Sequence, residues 1–166
     1  MGRYPTLSAE LAKQLSAVPS TDRIYHPCVV TLHDGSVIDK VYVVDAKPWF
    51  RHWGVWPEAD RGKHSVDIDT VAAIAESPSR LPGAFADKLY QAGESGMGYT
   101  IFTVRFGDGS SMAVVTGNAI DFIDYPAGQS FETVVDVIPH LGRNDPDLVN
   151  RPHYYWCLFE STSDRI

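Results

Sequence analysis

Patterns that carry chemistry are scarce in this sequence. Only two cysteines occur, Cys28 and Cys157, far apart and without a C-x-x-C pair. That is too few for a secreted disulfide framework, so a reducing, cytoplasmic setting is expected. A single bridge between the first and last strands stays open; otherwise both cysteines read as small buried hydrophobes. The six histidines form no H-x-x-x-H or H-E-x-x-H pair, and neither a metal nor a cofactor is expected. No apolar run approaches the roughly 20 residues of a membrane span, and no signal-peptide core stands at the start, so no membrane partner is expected. "MGRYPT" fits the loose myristoylation pattern without a polybasic stretch or nearby cysteine, and is read as coincidence. Positive charge is short as well. Lys and Arg number 14 against 21 Asp and Glu, a net charge of −7. That field repels phosphate backbones and argues against nucleic acid as a partner.

What remains is an ordinary globular composition, 44% hydrophobic and 21% charged. At 166 residues the chain reads as a single domain, 1–166. Leu7, Leu11, Leu15 and Val18 fall at helical spacing behind Ser8 as N-cap, which predicts a helix over about 7–18. "CVVTLHDGSVIDKVYVVDA" predicts a hairpin turning at Asp34-Gly35. "SVDI" reads as a short strand, and "DTVAAIAES" as a helical turn or two capped by Asp69. Leu81, Phe85 and Leu89 predict a second helix with Pro82 in its first turn. "YTIFTVRFGDGSSMAVVTGNAIDFIDYP" predicts three strands with turns at Asp108-Gly109 and Gly117-Asn118. Phe131, Val134, Val135 and Ile138 share one helical face ending at Pro139. The polar stretch before "HYYWCLF" reads as a loop, and that segment as a last strand. Together these predict an α+β fold: a strongly curved antiparallel sheet or small barrel of about six to seven strands, with three helices.

Val30–Ser36 (V-T-L-H-D-G-S) echoes Val104–Ser110 (V-R-F-G-D-G-S), a weak hairpin echo between 28–46 and 99–116. The first hairpin, carried on V-x-L-x-D-G-S and followed by "SVDIDTVAAI", also resembles the Sm-like and SH3-like small β-barrels over residues 28–74. That resemblance implies a small barrel and RNA binding. The second Sm signature, an Arg-Gly or Lys-Gly pair in a late strand, is absent.

Two stretches are candidate sites. "YQAGESGMGYTIF" brings Glu94 and Ser95 among three glycines. A nucleophile elbow needs G-x-S-x-G between a strand and a helix, and here the fifth residue is Met97 and the order is helix then strand. A dinucleotide fingerprint fails too, because the helix offers its negative C-terminal end to the loop. The glycines read as a helix stop and strand entry, with Glu94 and Ser95 as polar groups on a possible contact edge. "KPWFRHWGVWPEADRGKH" reads as a long exposed loop holding Trp49, Phe50, Trp53 and Trp56. Lys47, Arg51, Arg61 and Lys63 outnumber Glu58 and Asp60 there, with His52 and His64 beside them. Trp and Arg are preferred anchors of interfaces, whereas a loop mini-core would bury the rings instead.

The expected function is therefore non-catalytic binding or protein interaction through this Trp-rich, locally basic loop. A protein partner or self-association as a homo-oligomer is expected first, with a small anionic ligand as a further possibility. The alternatives are a small-molecule enzyme with a site between the Trp-rich and Gly-rich loops, and a nucleic-acid binder on an Sm-like barrel.

Overall fold

The computed structural model describes residues 3–96, 98–117, 119–140 and 152–161. In chain order the first elements are α1 (Ala9–Ser16), β1 (His26–Leu32), β2 (Val37–Asp45), α2 (Ala46–Trp53), β3 (His64–Ser65) and β4 (Val71–Glu76). There follow α3 (Gly83–Ala92), β5 (Thr100–Phe106), β6 (Ser111–Thr116), β7 (Val134–Pro139) and β8 (Tyr155–Phe159). Short 3-10 turns occupy Pro57–Ala59, Ile68–Thr70 and Phe131–Thr133. The chain forms two compact units, one running to Ser77 and resuming at Tyr154, the other spanning Pro78 to His153.

In the first unit Ser8 caps α1 as expected, its Oγ accepting from Leu11 N at 3.2 Å. The predicted hairpin joins β1 to β2, with Gly35 at a φ of +90° and Asp34 Oδ1 accepting from Ser36 N at 2.8 Å. β4 pairs with β1, and β8 enters parallel to β2, giving a sheet ordered β3-β8-β2-β1-β4. One face is aliphatic: Cys28, Val30, Val41, Val43 and Cys157 pack under Leu11 and Leu15 of α1. The other is aromatic, with Tyr42 stacked on Trp156 at 4.9 Å beneath α2. Val41 to Val44 are therefore all buried, because a strand covered on both faces loses the in-out alternation. β2 lies between the strands of the two cysteines, so they stand two strand spacings apart, roughly 10 Å, and both are free thiols.

The second unit has its own core. Ala86 and Leu89 of α3 pack on Phe102, Val104 and Val137 of a three-stranded antiparallel sheet, ordered β6-β5-β7. Buried polar groups fasten its irregular segments. Leu81 N donates to Asp121 O at 2.7 Å, Tyr125 donates to Arg80 O at 2.7 Å, and the Tyr90 hydroxyl donates to the Asp121 carboxylate.

Several expectations are corrected. The described strands make a five-stranded mixed sheet and a separate three-stranded one, not a strongly curved sheet or barrel. In the first sheet β3 and β4 are the two edges and do not pair, and β8 is parallel, so the Sm-like barrel geometry does not arise. The stretch read as a long loop begins with helix α2. "AIDFIDY" forms no named strand; it meets Arg80 through an isolated bridge at Phe122 and the Tyr125 hydroxyl. Two segments read as helical are strands, β4 and β7, for one shared reason. Each carries a bulge in its pairing, at Ala72 between Val71 and Ala73 and at Val135 between Val134 and Asp136. A bulge adds one residue and returns the next inward side chain three positions on. The buried pairs Val71/Ile74 and Val134/Val137 thus show a helical spacing on extended backbone. Asn118 and the loop expected over 142–151 lie outside the described residues.

Each unit also runs through the same internal series. The boundaries Ala9 and Gly83, His26 and Thr100, Leu32 and Phe106, and Val37 and Ser111 are pairs separated by one constant interval. A second constant interval relates Ile68–Thr70 to Phe131–Thr133 and β4 to β7. Contacts repeat as well. Gln14 Oε1 accepts from Ile74 N at 2.8 Å, and at the matching positions Lys88 Nζ donates to Val137 O at 2.8 Å. His33 N bonds Thr70 O and Gly107 N bonds Thr133 O, both at 2.9 Å. The difference in length falls where the first unit carries α2, the Pro57–Ala59 turn and β3.

Candidate binding surface

α2 exists because its ends are closed. Asp45 Oδ1 accepts from Lys47 N at 3.1 Å, and Gly54, at a φ of +76°, returns its N–H to Phe50 O at 2.8 Å. Helical spacing then aims Ala46, Trp49 and Trp53 at the sheet. Trp49 is fully buried, 5.4 Å from Trp156 and stacked near Trp53 and Trp56 at 6.0 and 6.2 Å. Trp53 and Trp56 are only half-buried. Trp53 is anchored by its indole N–H, which donates to the hydroxyl of buried Tyr25 at 2.9 Å. Trp56 stacks on Phe50 at 4.2 Å, and Tyr4 meets it edge-on at 5.5 Å.

Two cations lie against these rings. The Lys63 ammonium stands 4.9 Å over Trp53 and pairs with Asp60, holding that carboxyl below the usual range. The Arg3 guanidinium stands 5.0 Å over Trp56 and 3.9 Å from Glu58. Tyr4 donates to Glu58 at 2.9 Å, and burial followed by that carboxylate pushes its hydroxyl up to about 12. The outer side of α2 is different: Phe50 and Val55 are exposed at 37% and 46%, beside exposed Arg51 and His52. Arg51 and Arg61 make no ion pair among the described residues.

The site residues read from the sequence thus separate by role. Trp49 is core, Trp53 and Trp56 straddle core and surface, and Lys63 is held by Asp60. Arg51 and His52 face solvent with Phe50. His52 meets Trp53 edge-on at 5.6 Å, and exposed His64 lies 6.0 Å from the Tyr155 ring. Among the described residues no group of three or more His, Cys, Asp or Glu is placed to hold a metal. Glu94 and Ser95 belong to the second unit and are engaged in shaping their loop. Ser95 Oγ accepts from Ile101 N at 2.8 Å, and Glu94 Oε2 accepts from Gly98 N at 2.9 Å. The nearby glycines serve the same turn: a Cβ on Gly96 would stand 2.2 Å from the Tyr99 ring, and Gly98 holds a φ of +81°. Met97 lies outside the described residues.

Sequence reasoning missed Arg3, Tyr4, Tyr25, Tyr42 and Trp156 as parts of the aromatic assembly. Nothing local marks them, since they come from distant segments brought together by the pairing of β2 with β1 and β8 and by the bonds of Tyr4 and Pro5 to Glu160. No protein-family model matches the chain, and no curated protein or solved structure is significantly similar to it. No helix among the described residues is long and apolar enough to cross a membrane.

Proposed function

We propose that the chain is a non-catalytic binding domain. Its contact surface is the outer side of α2 and the turn after it, and it takes an acidic segment of a protein partner that carries apolar side chains. The observation that carries this reading is exposed Phe50 stacked on half-buried Trp56, with exposed Val55 nearby in sequence and Arg51 making no ion pair among the described residues. Buried rings beneath make a rigid platform, so little side-chain freedom is lost when the outer residues are covered. Unpaired guanidinium at the margin of an apolar patch favours carboxylates over phosphate-free neutral surfaces, and aromatic and Arg residues dominate binding energy at such interfaces. α2 is also part of what the first unit carries and the second lacks.

The test is selection of displayed random peptides on the whole chain, followed by affinity measurements with the enriched peptides. Acidic sequences with Phe, Leu or Trp are expected. The double variant Phe50→Ser/Arg51→Glu, chosen because both side chains are exposed, should bind them at least about tenfold more weakly with an unchanged far-ultraviolet circular dichroism spectrum. Enriched peptides that lack acid, or that bind the variant equally well, would sink the reading. So would tighter, steeply salt-dependent binding of single-stranded oligonucleotide to the same surface, which would favour nucleic acid.

A further inference from the structure

A cleft of about 580 Å³ opens in the first unit, lined by no residue of α2 itself. That volume lies within the roughly 300–1,000 Å³ typical of small-molecule sites. Four of its lining residues, Val66, Ile68, Trp156 and Leu158, are apolar and buried. Pro5 and Pro57 add rigid walls. The segment Arg3–Pro5 forms one side and is tied to the end of β8, with Tyr4 N donating to Glu160 Oε1 at 3.0 Å and Glu160 N to Pro5 O at 3.0 Å. Most of these walls come from elements that the second unit does not repeat. At the position matching Ile68, the second unit leaves Phe131 exposed at 37%, where the first buries its residue under the cleft.

The charge around the opening is uneven. Glu58 is answered by Arg3 and by the Tyr4 hydroxyl. Asp67 and Asp69 also line the cleft; both are exposed, and neither makes an ion pair among the described residues. Asp67 Oδ1 accepts from Asp69 N at 3.0 Å, which fixes the carboxylate at the margin of the cleft. The cleft therefore combines buried apolar lining residues with a net negative set of charges, in which Asp67 and Asp69 are the carboxylates without an ion pair among the described residues. Arg3, lying beside Glu58 and over Trp56, is the chain's own example of a cation seated against a carboxylate and a ring at this cleft.

We propose that this cleft binds a small organic cation, with an apolar body against Trp156 and Leu158 and an ammonium or guanidinium head at Asp67 and Asp69. Cation binding there does not require that the α2 surface bind protein. The direct test is two-dimensional amide NMR of the whole chain, titrated with phenethylammonium, with the near-isosteric neutral 2-phenylethanol and with anionic 3-phenylpropionate. The ammonium ligand should shift amides of Ser65 to Asp69 and of Leu158, and should bind more tightly than the alcohol, with the anion weakest. The variant Asp67→Asn/Asp69→Asn keeps the side-chain cap at position 67 and should weaken ammonium binding about fivefold while leaving alcohol binding unchanged. Its amide spectrum away from the cleft reports whether the fold is intact. Equal binding of all three probes, shifts that map elsewhere, or an unaffected double variant would overturn the assignment.

Discussion

The hydrogen bond from Trp53 to Tyr25 offers the sharpest test of how the binding surface is supported. Replacing Trp53 by Phe removes a 2.9 Å bond to a hydroxyl on a fully buried ring. A neutral hydrogen bond of that kind contributes about 0.5–1.5 kcal/mol net. The smaller ring also gives up part of the packing on Trp49 and Trp156, worth about 1 kcal/mol. The Lys63 cation above the ring loses its better partner, about 0.5 kcal/mol at a half-exposed site. The sum predicts a loss of about 2–3 kcal/mol for Trp53→Phe. The hydrogen-bond part alone is isolated by the cycle with Tyr25→Phe, where the coupling should be about 1 kcal/mol. Urea unfolding followed by tryptophan fluorescence is the assay, because all four tryptophans lie in the first unit and the second contributes no signal. A coupling within about 0.3 kcal/mol of zero, with unchanged urea slopes, would refute the anchoring role and leave Trp53 as a surface residue only.

Three further outcomes are expected. In β7, Val137→Ala should cost the second unit about 1–3 kcal/mol, because the side chain is fully buried, while Val135→Lys at the bulge should stay within about 0.5 kcal/mol; calorimetry of both variants checks this, and equal losses would remove the bulge. Lys88→Met should destabilise the second unit by removing the bond to Val137 O and the ion pair to Asp136. Lys88, then the Val137 N–H, hold the Asp136 carboxyl below its ordinary value, so its contribution is present above the unfolded value of about 4 and fades as pH falls through the folded one. The gap between wild type and Lys88→Met should therefore narrow in acid without closing, and a gap that widens in acid would contradict the pairing. Neither Cys28 nor Cys157 should react with a thiol reagent at pH 8 while the chain is folded, since both are buried and burial followed by the Asp67 charge pushes the Cys157 thiol up to about 12; rapid stoichiometric labelling would count against the sheet order that places them.

Legibility in the sequence follows the range of each signal. The Ser8 cap and the Asp34-Gly35 and Asp108-Gly109 hairpins were readable because each is set within a few residues, as was the helix read from Leu81, Phe85 and Leu89, which begins only at Gly83, with Pro82 as its cap. α2 carried equally local signals, Asp45 before it and Gly54 after it, but the density of charge and proline obscured them. β4 and β7 were misread for a different reason. Their bulges arise from pairing with β1 and β5, and no spacing within the strand distinguishes a bulge from a helical stripe. The hairpin echo falls within a longer series of element boundaries that recur at constant intervals in the two units.

The sequence by itself thus determined where the chain turns, which segments are apolar, and that its tryptophans cluster in one short stretch. Tertiary structure alone decided that β8 joins beside β2 in parallel, that two separate sheets form, and that one sheet face is aliphatic and the other aromatic. It also decided which side of the tryptophan helix remains open and where a cleft forms beneath Arg3–Pro5. The physical reason is distance along the chain. A turn or cap satisfies backbone groups a few residues away, whereas a strand partner or a cleft wall is chosen among remote segments by burial and hydrogen-bond completion over the whole unit.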